Sequence, residues 1–414
     1  MHEEAEAGTP SIHTHQPLAM KSPPASHRRR FIEGLKSRSV DPATSPAMQK
    51  LAAVFDGDPI LRMELTQAIF EAQGRGYDLG FTSIAELLNL MALTVVQAPP
   101  FDETALVGCP INALLDPLMN MPSGYALFRS PTLNAALKAV LHEWCTFLLS
   151  PASTTYLNTT SPTGWFCPEA LTKIDMDLFV CDPSKPYYGF TSWNNYFTRL
   201  FVAGARPIEA PNDAKVIVSA CEASPFNIQS NLLLTDFFWM KSQAYSLQDI
   251  FTSTRPDLAK LYVGGDLYQA FLSADNYHRW HAPISGKVTA AYNVDGTYYS
   301  DSEFAGYDPA GPNDSQGYIT AVAARAVIVI DSGNPVIGKV ACVFVGMAEI
   351  SSNVITVAVG QQVNKGGQLG YFQYGGSTHC VIFQKGAIQL FNAQPPFDPN
   401  AAPVKLGTQI ALAN

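Results

Sequence analysis

The hydrophobic pattern of the chain changes near Lys215, and this change constrains the fold more than any other feature of the sequence. From about residue 47 to about residue 150, apolar residues recur at helical spacing, for example over residues 84–93. Beyond Lys215, short runs rich in β-branched residues are separated by Gly and Asp, for example at residues 327–330. The sequence therefore predicts an α+β protein in which a helical N-terminal section precedes a β-rich domain.

Several individual elements can also be predicted. Ser130 followed by Pro131 is typical of an N-cap and the first turn of a helix. Pro, Gly, Tyr and Trp punctuate residues 151–195, which predicts ordered loops that join the two regions. Five β-branched runs predict strands, at residues 216–219, 286–292, 327–330, 339–345 and 354–357.

These patterns divide the chain into a disordered tail at residues 1–46, a helical section at 47–180 and a β-rich domain at 181–414. The tail contains Arg28, Arg29 and Arg30 in succession, but the apolar segment of a secretory signal does not follow them. No window of the chain reaches the roughly 18 apolar residues that a membrane-spanning helix needs. We therefore expect a soluble, cytoplasmic protein.

Composition narrows the choice of partners. The 414 residues are 47% hydrophobic, which is enough to bury a substantial core. A formal net charge of -9 argues against a general affinity for nucleic acid or anionic lipid, because phosphate binding relies on Lys and Arg. The seven cysteines form no CxxC pair, so neither a zinc knuckle nor a dense disulfide framework is predicted. Small molecules are the expected partners.

Two histidines lie close together in the segment 277–283, which reads Tyr-His-Arg-Trp-His-Ala-Pro. His278 and His281 could bind a metal, but no nearby Cys, Glu or third His stands at ligand spacing, and we predict no metal site. From the residues alone, packing within an aromatic-rich turn and a role in catalysis both remain open.

A second feature is the string Gly375-Gly376-Ser377-Thr378, which in isolation predicts only a turn. It also meets the requirements of chain self-cleavage, in which the Ser377 hydroxyl would attack the carbonyl of Gly376. A glycine before the serine removes Cβ bulk and permits the strained backbone that such an attack needs. The weak hydroxyl also needs a base, itself oriented by a carboxylate.

Self-cleavage of this kind would create a cofactor from the chain itself. Elimination from the resulting ester would leave dehydroalanine, and its hydrolysis would give a pyruvoyl group at the new N-terminus. A pyruvoyl carbonyl condenses with an amine and accepts the electron pair released with CO2, so it can replace pyridoxal phosphate. No external cofactor is then required.

Together these two motifs resemble the phosphatidylserine decarboxylase family, whose members carry a YHRxH motif and a C-terminal GST-type cleavage motif. The resemblance covers roughly residues 180–390. It implies a pyruvoyl-dependent decarboxylase that is cut between Gly376 and Ser377 and whose two chains stay together. Supporting matches lie at residues 196–199, 206–207, 219–222, 241–247 and 365–366.

The resemblance also implies roles for four residues. Ser377 would be the cleavage serine and pyruvoyl source, and His281 the base that activates it. His278 would assist decarboxylation by protonating the carbanion. The aspartate of the family's triad falls at Glu222, which is one methylene longer and could orient His281 only if the backbone has shifted. A glutamate on the surface is the alternative for this position.

The substrate is implied by a narrower resemblance. The helical N-terminal section, the lack of a membrane anchor and residues 187–190 resemble the fungal branch of the family that decarboxylates aromatic amino acids. The implied substrate is L-tryptophan or a close relative, and the product an arylalkylamine such as tryptamine. An indole ring needs an apolar, aromatic-lined pocket, which the sequence does not locate.

Three other hypotheses remain open. A phosphatidylserine decarboxylase would share the same catalytic residues but would need a lipid-docking surface, for which residues 28–30 are the candidate. A carrier module is suggested by residues 359–370, which resemble the hairpin of biotinyl and lipoyl domains but lack their modified-lysine strings. An inactive relative would fold without cleaving, with Glu222 as the suspected cause.

Overall fold

A computed structural model describes residues 25–38, 45–102, 109–236, 238–239, 242–243, 245–303, 311–392 and 402–414. The predicted α+β class is confirmed, because helices dominate up to residue 197 and strands dominate beyond residue 215. The α-helices of the described residues are α1 (Ala25–Lys36), α2 (Pro46–Gly57), α3 (Pro59–Gly74), α4 (Ile84–Val95), α5 (Pro110–Met119), α6 (Pro122–Leu127), α7 (Pro131–Leu148), α8 (Pro168–Leu171), α9 (Trp193–Phe197), α10 (Leu247–Phe251), α11 (Pro256–Leu261) and α12 (Gln316–Val322).

The helix starts follow the expected capping chemistry. Ser130 accepts a hydrogen bond from the backbone N–H of Leu133 and Pro131 begins α7, as the sequence predicts. The apolar residues of α7 are buried at the predicted spacing, with Trp144 the largest of them. Short 3-10 helices lie in the punctuated region that follows, at Pro151–Tyr156, Met176–Leu178 and Pro186–Gly189, and a further one lies at Gly311–Asp314. Among the helices described, none has the length and apolar character needed to cross a bilayer.

The prediction of a disordered tail is wrong for part of residues 1–46. Residues 1–24 and 39–44 lie outside the described residues, but α1 is a helix that packs on the helical section. Ile32 and Leu35 bury their side chains in the core, and Arg28 donates hydrogen bonds to the carbonyls of Leu79 and Ala113. The apolar residues Ile32 and Leu35, three positions apart, could have indicated a helix. The adjacent run of arginines is typical of an exposed tail and obscured this indication.

The strands form one large sheet and three small ones. The seven-stranded sheet has the order β11-β7-β8-β9-β13-β5-β2, so β13 lies inside it between β9 and β5. The strands are β1 (Val216–Val218), β2 (Ser224–Ser230), β3 (Phe238–Trp239), β4 (Ser242–Gln243), β5 (Asp266–Leu272), β6 (Arg279–His281), β7 (Gly286–Val294), β8 (Arg325–Asp331), β9 (Lys339–Ala348), β10 (Ser352–Ile355), β11 (Gln362–Val363), β12 (Gln368–Gln373), β13 (Gly376–Phe383), β14 (Ile388–Phe391) and β15 (Gln409–Ala413).

The predicted runs lie on β1, β7, β8, β9 and β10, although β10 begins and ends two residues earlier than expected. The other small sheets have the orders β1-β15-β14, β10-β12-β6 and β3-β4. The β10-β12-β6 sheet packs on one face of the large sheet, where Trp280 of β6 stacks on Phe344 of β9 with ring centroids 4.2 Å apart. Successive residues of a strand point to opposite faces, so Ser377 and His379 of β13 face this interior. The interior between these two sheets holds the site described next.

Candidate active site

Ser377 is the second residue of β13 and is wholly enclosed. It pairs with Leu272 on β5 and with Gly346 on β9, and none of its surface is exposed. Among the residues that the structure describes, its Oγ has no hydrogen-bond partner. A buried hydroxyl without a partner is costly and therefore rare, which makes this oxygen a candidate for chemistry.

The next residue, Thr378, holds the strand in this orientation. Its Oγ1 donates to the carbonyl of Ala270 at 3.0 Å and accepts a hydrogen bond from Nε2 of Gln269 at 3.1 Å. Both contacts lie on the face of the sheet opposite to Ser377. The threonine of the Gly-Ser-Thr string thus fixes which way the serine points.

The backbone before Ser377 departs from regular strand geometry. Tyr374 has a φ of 21° and Gly375 a φ of 141°, and the register with β9 shifts between Gly376 and Ser377. A Cβ on Gly375 would lie 2.0 Å from the carbonyl oxygen of Ala348, so only glycine fits there. A Cβ on Gly376 would meet only the Cys109 sulfur, at 3.8 Å. The unusual backbone expected at Gly376 therefore lies one residue earlier.

His278 lies beside this segment and is fully buried. Its Nδ1 is 2.9 Å from the carbonyl oxygen of Asn276, and its Nε2 has no hydrogen-bond partner in the described part of the chain. Burial lowers the pKa of His278 to about 3; the positive charge of Arg199 lowers it further, while the carbonyls of Asn276 and Gly375 oppose the change. The imidazole is therefore neutral near pH 7, and a neutral ring that donates from Nδ1 keeps its basic lone pair on Nε2.

Arg199 holds the turn that carries His278. Its guanidinium donates to the carbonyls of Asp275 and Asn276 at 2.9 and 3.4 Å and lies 4.4 Å from the ring centre of Phe179. On the other side, Phe197 stacks on the His278 ring with centroids 4.1 Å apart. The Tyr-Phe-Thr-Arg string of the sequence thus supports this histidine from two directions.

His281 lies on β6 and uses both of its ring nitrogens. Nδ1 is 2.8 Å from the carbonyl oxygen of Gly366, and Nε2 is 3.0 Å from the hydroxyl of Tyr277. Burial lowers the pKa of His281 to about 4, partly opposed by the Gly366 carbonyl. These contacts, and not Glu222 or Ser377, fix the ring.

Glu222 is held by Arg206. Nε of Arg206 donates to Oε2 at 2.5 Å and Nη2 to Oε1 at 2.6 Å, and the backbone N–H of Leu406 donates to Oε2 at 3.2 Å. The hydrogen bond to His281 expected from the sequence is therefore not formed, because the guanidinium occupies both carboxylate oxygens. Only 14% of the Glu222 side chain is exposed, so it is not a surface glutamate either.

Sequence reasoning did not single out Glu349, which packs against Gly375. This carboxyl is buried on a backbone with a φ of 65°, and its Cβ would lie 2.8 Å from a Cβ on Gly375. It accepts hydrogen bonds from the N–H of Asn112 at 2.8 Å and the hydroxyl of Tyr299 at 3.2 Å. Burial raises the pKa of Glu349 to about 8. The sequence feature that could have indicated Glu349 is its position directly after the apolar run 340–348.

Two further residues near Ser377 were also missed. Burial raises the pKa of the Cys109 thiol, and the charges of Glu349 and Asp275 add to that effect. His379 is buried two residues beyond Ser377 on the same face of β13, and neither of its ring nitrogens has a hydrogen-bond partner within the described ranges. Burial lowers the pKa of His379 to about 4. Nothing in the sequence places Cys109 near the motif, because the contact spans 267 residues of chain.

The site therefore brings together a buried serine, the neutral imidazole of His278 and a buried carboxyl around one strained segment. Ser377, His278 and Glu349 all lie at this segment, whereas Glu222 lies with Arg206. Within the described ranges, no group of three or more His, Cys, Asp or Glu side chains could hold a metal ion.

Comparison with known proteins identifies the family. The family model described as phosphatidylserine decarboxylase matches residues 193–412, and a second model of that description matches residues 45–174. The decarboxylase iboD of Amanita muscaria is 40% identical over 67% of this chain and 84% of its own length. The L-tryptophan decarboxylase of Psilocybe cubensis is 30% identical over 82% of this chain and 80% of its own. The L-tryptophan decarboxylase of Psilocybe cyanescens is 32% identical over 67% of this chain and 68% of its own. This chain belongs to the phosphatidylserine decarboxylase family and is a carboxy-lyase.

Proposed function

We propose that this protein is a pyruvoyl-dependent decarboxylase of aromatic L-amino acids that converts L-tryptophan to tryptamine and CO2. The observation that carries the proposal is the buried, unpartnered Oγ of Ser377 directly after a strained Gly-Gly segment. The names of the two Psilocybe relatives support the choice of substrate. The short Gly-Ser-Thr string would then be the precursor of the cofactor.

Ser377 fits the role of pyruvoyl source. Its Oγ attacks the Gly376 carbonyl carbon, and the amide C–N bond breaks as the ester C–O bond forms. Loss of the Ser377 α-proton then breaks the ester, leaving a carboxylate on Gly376 and dehydroalanine at residue 377. Addition of water and release of ammonia convert dehydroalanine into the pyruvoyl group, so every atom of the cofactor except one oxygen comes from the chain.

A pyruvoyl carbonyl supplies an electron sink for an amine substrate that loses CO2. In the proposal His281 removes the proton from the Ser377 hydroxyl during cleavage. Glu222, whose carboxylate is held by Arg206, would have to turn toward His281 to orient it. His278 delivers a proton to the substrate carbon after CO2 departs. The lowered pKa values of His278 and His281 keep both imidazoles neutral near pH 7, so each ring can accept a proton before it returns one.

One observation favours the opposite assignment of the two histidines for the cleavage step. His278 has an unpartnered Nε2 and lies at the Gly375 carbonyl, whereas His281 binds Gly366 and Tyr277 through both nitrogens. For His281 to serve as the base, its Nε2 must exchange the Tyr277 hydroxyl for Ser377. The variants described in the Discussion separate the two assignments.

Cleavage would leave a large fragment of 376 residues and a small one of 38. The small fragment begins at Ser377 and includes nearly all of β13, which is hydrogen-bonded on both sides to β9 and β5. We propose that the two fragments stay associated, because removal of an inner strand would break both ladders. We also propose that the enzyme acts in the cytoplasm.

The test is intact-mass measurement of the denatured protein combined with an assay for amine release. Two fragments that divide after Gly376, the smaller with the mass expected of a pyruvoyl N-terminus, together with tryptamine from L-tryptophan, would support the proposal. Ser377→Ala should abolish both cleavage and amine release, and activity in that variant would overturn the mechanism. Release of CO2 from phosphatidylserine vesicles but not from L-tryptophan would instead support the lipid as substrate.

A further inference from the structure

Tyr374, three residues before Ser377, fills a cage of aromatic side chains. Its ring centroid lies 5.4 Å from that of Trp144, 5.6 Å from Trp193 and 5.3 Å from Phe197, and each contact is edge-to-face. Tyr374 itself is only 2% exposed. We call Trp144, Trp193 and Phe197 the aromatic cage. Its walls have the composition and edge-on geometry that favour binding of one aromatic ring.

The aromatic cage adjoins the reacting residue. Phe197 contacts Tyr374 on one side and stacks on His278 on the other. Three residues of extended chain span at most about 10 Å, so the Cα atoms of Tyr374 and Ser377 lie within that distance. The side chain of an aromatic amino acid bound through its amino group at residue 377 would have a similar reach.

Cleavage changes what holds Tyr374 in place. Before cleavage Tyr374 is tied to β12 on one side and to β13 on the other, with glycines at 375 and 376 between. After cleavage the segment 374–376 is a chain end with two glycines, and its left-handed φ values at 374 and 375 are no longer imposed from both sides.

Cleavage also creates a charge at this point. The new carboxylate on Gly376 forms inside the protein, next to the buried carboxyl of Glu349, which packs on Gly375. A carboxylate is poorly solvated in such a site, and the pKa of Glu349, which burial raises, shows that this environment opposes a negative charge. This cost favours withdrawal of the segment 374–376 toward water, and Tyr374 would leave the aromatic cage with it.

We propose that the aromatic cage is the binding site for the aromatic ring of the substrate, and that Tyr374 occupies it until cleavage releases the segment 374–376. This inference rests on the proposed function and adds the location of the ring. It also explains how an enclosed site becomes accessible: the reaction that makes the cofactor removes the side chain that blocks the substrate. All three walls of the site come from helices, Trp144 from α7 and both Trp193 and Phe197 from α9.

The first experiment measures binding of free indole to uncleaved protein by calorimetry. Ser377→Ala keeps Tyr374 in the aromatic cage and should bind indole weakly, whereas the double variant Ser377→Ala/Tyr374→Ala should bind it at least about tenfold more tightly, because dry apolar cavities bind small aromatic molecules. The matched control is Ser377→Ala/Tyr371→Ala, which removes a tyrosine of β12 that lies outside the aromatic cage. Equal binding by the folded double variant and this control would overturn the proposal.

A second measurement does not depend on the stability of the double variant. Hydrogen exchange of the peptide that contains residues 374–376 should be slow in Ser377→Ala and faster by about tenfold or more in the processed wild type, since chain ends open readily. Equal protection in the two proteins would overturn the proposal. Should the wild type cleave and release tryptamine while either result is negative, the proposed function stands and only the placement of the ring fails.

Discussion

Arg206 and Glu222 form a two-pronged ion pair in which the guanidinium Nε and Nη2 donate to separate carboxylate oxygens, at 2.5 and 2.6 Å. Only 10% of the arginine side chain and 14% of the glutamate side chain are exposed. The backbone N–H of Leu406 donates to the same carboxylate, so this pair also ties the C-terminal segment to the residues after β1.

Glu222→Gln should therefore reduce stability. It leaves the charge of Arg206 without its counterion in a largely buried site, and we expect the free energy of unfolding to fall by about 3 kcal/mol. Urea denaturation of the Ser377→Ala background measures this on a uniform, uncut chain. The control is Asp257→Asn, which breaks the more exposed pair with Arg255 and should cost about 0.5 kcal/mol or less. Equal losses would contradict the structural role given to Glu222. In a chain that retains Ser377, failure of the folded Glu222→Gln variant to cleave would show that Glu222 also serves His281.

Substitutions of His278 and His281 should affect cleavage and decarboxylation differently. His281→Ala is expected to slow cleavage by about 100-fold or more, because it removes the proposed general base. His278→Ala should still yield both fragments but lower the rate of amine release by about 100-fold. The fragments are followed by mass over time and the amine by chromatography. An uncut His278→Ala chain would assign the base to His278, in agreement with its unpartnered Nε2.

Replacement by alanine should have different effects on stability and cleavage at the adjacent residues Gly375 and Gly376. Gly375→Ala places a Cβ 2.0 Å from the Ala348 carbonyl oxygen at a φ of 141°, and we expect a loss of about 3 kcal/mol of stability together with impaired cleavage. Gly376→Ala meets only the Cys109 sulfur at 3.8 Å and should fold and cleave nearly as the wild type does. Thermal denaturation and fragment mass compare the two. A reversed order of sensitivity would refute the backbone geometry described before Ser377.

Glu349 should make stability depend on pH. Its pKa is raised from 4.5 to about 8 in the folded chain, so the folded state binds more protons than the unfolded state between these values. Stability contributed by the neutral carboxyl is then present at low pH and lost as pH rises from 4.5 to 8, at a rate of at most about 1.4 kcal/mol per pH unit.

Glu349→Gln should remove that loss of stability. The free energy of unfolding of the variant, relative to that of the parent, should therefore increase as the pH rises from 4.5 to 8, when both are measured in the Ser377→Ala background. Cys109, Tyr299 and Tyr374 face Glu349, but burial raises the pKa of each, so they stay neutral and do not mask the effect. Glu33→Gln, at an exposed position of α1, is the control and should show no such trend. A difference in the free energy of unfolding between the parent and Glu349→Gln that does not change with pH would mean that Glu349 is ionised throughout.

The sequence predicted what depends on local pattern. Helical and strand periodicity located α7, β8 and β9, and Ser130 marked the start of α7, because these signals act over a few residues. The two motifs drew attention to His278 and Ser377, and the fold buries both residues; their catalytic roles stay predictions.

Contacts between distant parts of the chain were not predictable in the same way. The approach of Cys109 and Asn112 to the motif, the Arg206–Glu222 pair and the aromatic cage each join segments that share no local signal. The helix α1 was missed because its two buried residues follow a run of arginines typical of an exposed tail. These four features depend on tertiary packing, and tertiary packing cannot be predicted from any one position of a single sequence.

The inner position of β13 affects how long such an enzyme can remain active. If the chain is cut at Ser377, the reactive group belongs to a fragment of 38 residues whose first strand is clamped between β9 and β5. Folding of the intact chain inserts that strand as part of one molecule, but after cutting the same insertion would require two separate chains to meet. Denaturation of the mature enzyme would then be irreversible at low concentration, and its working lifetime would be set by how slowly the sheet opens.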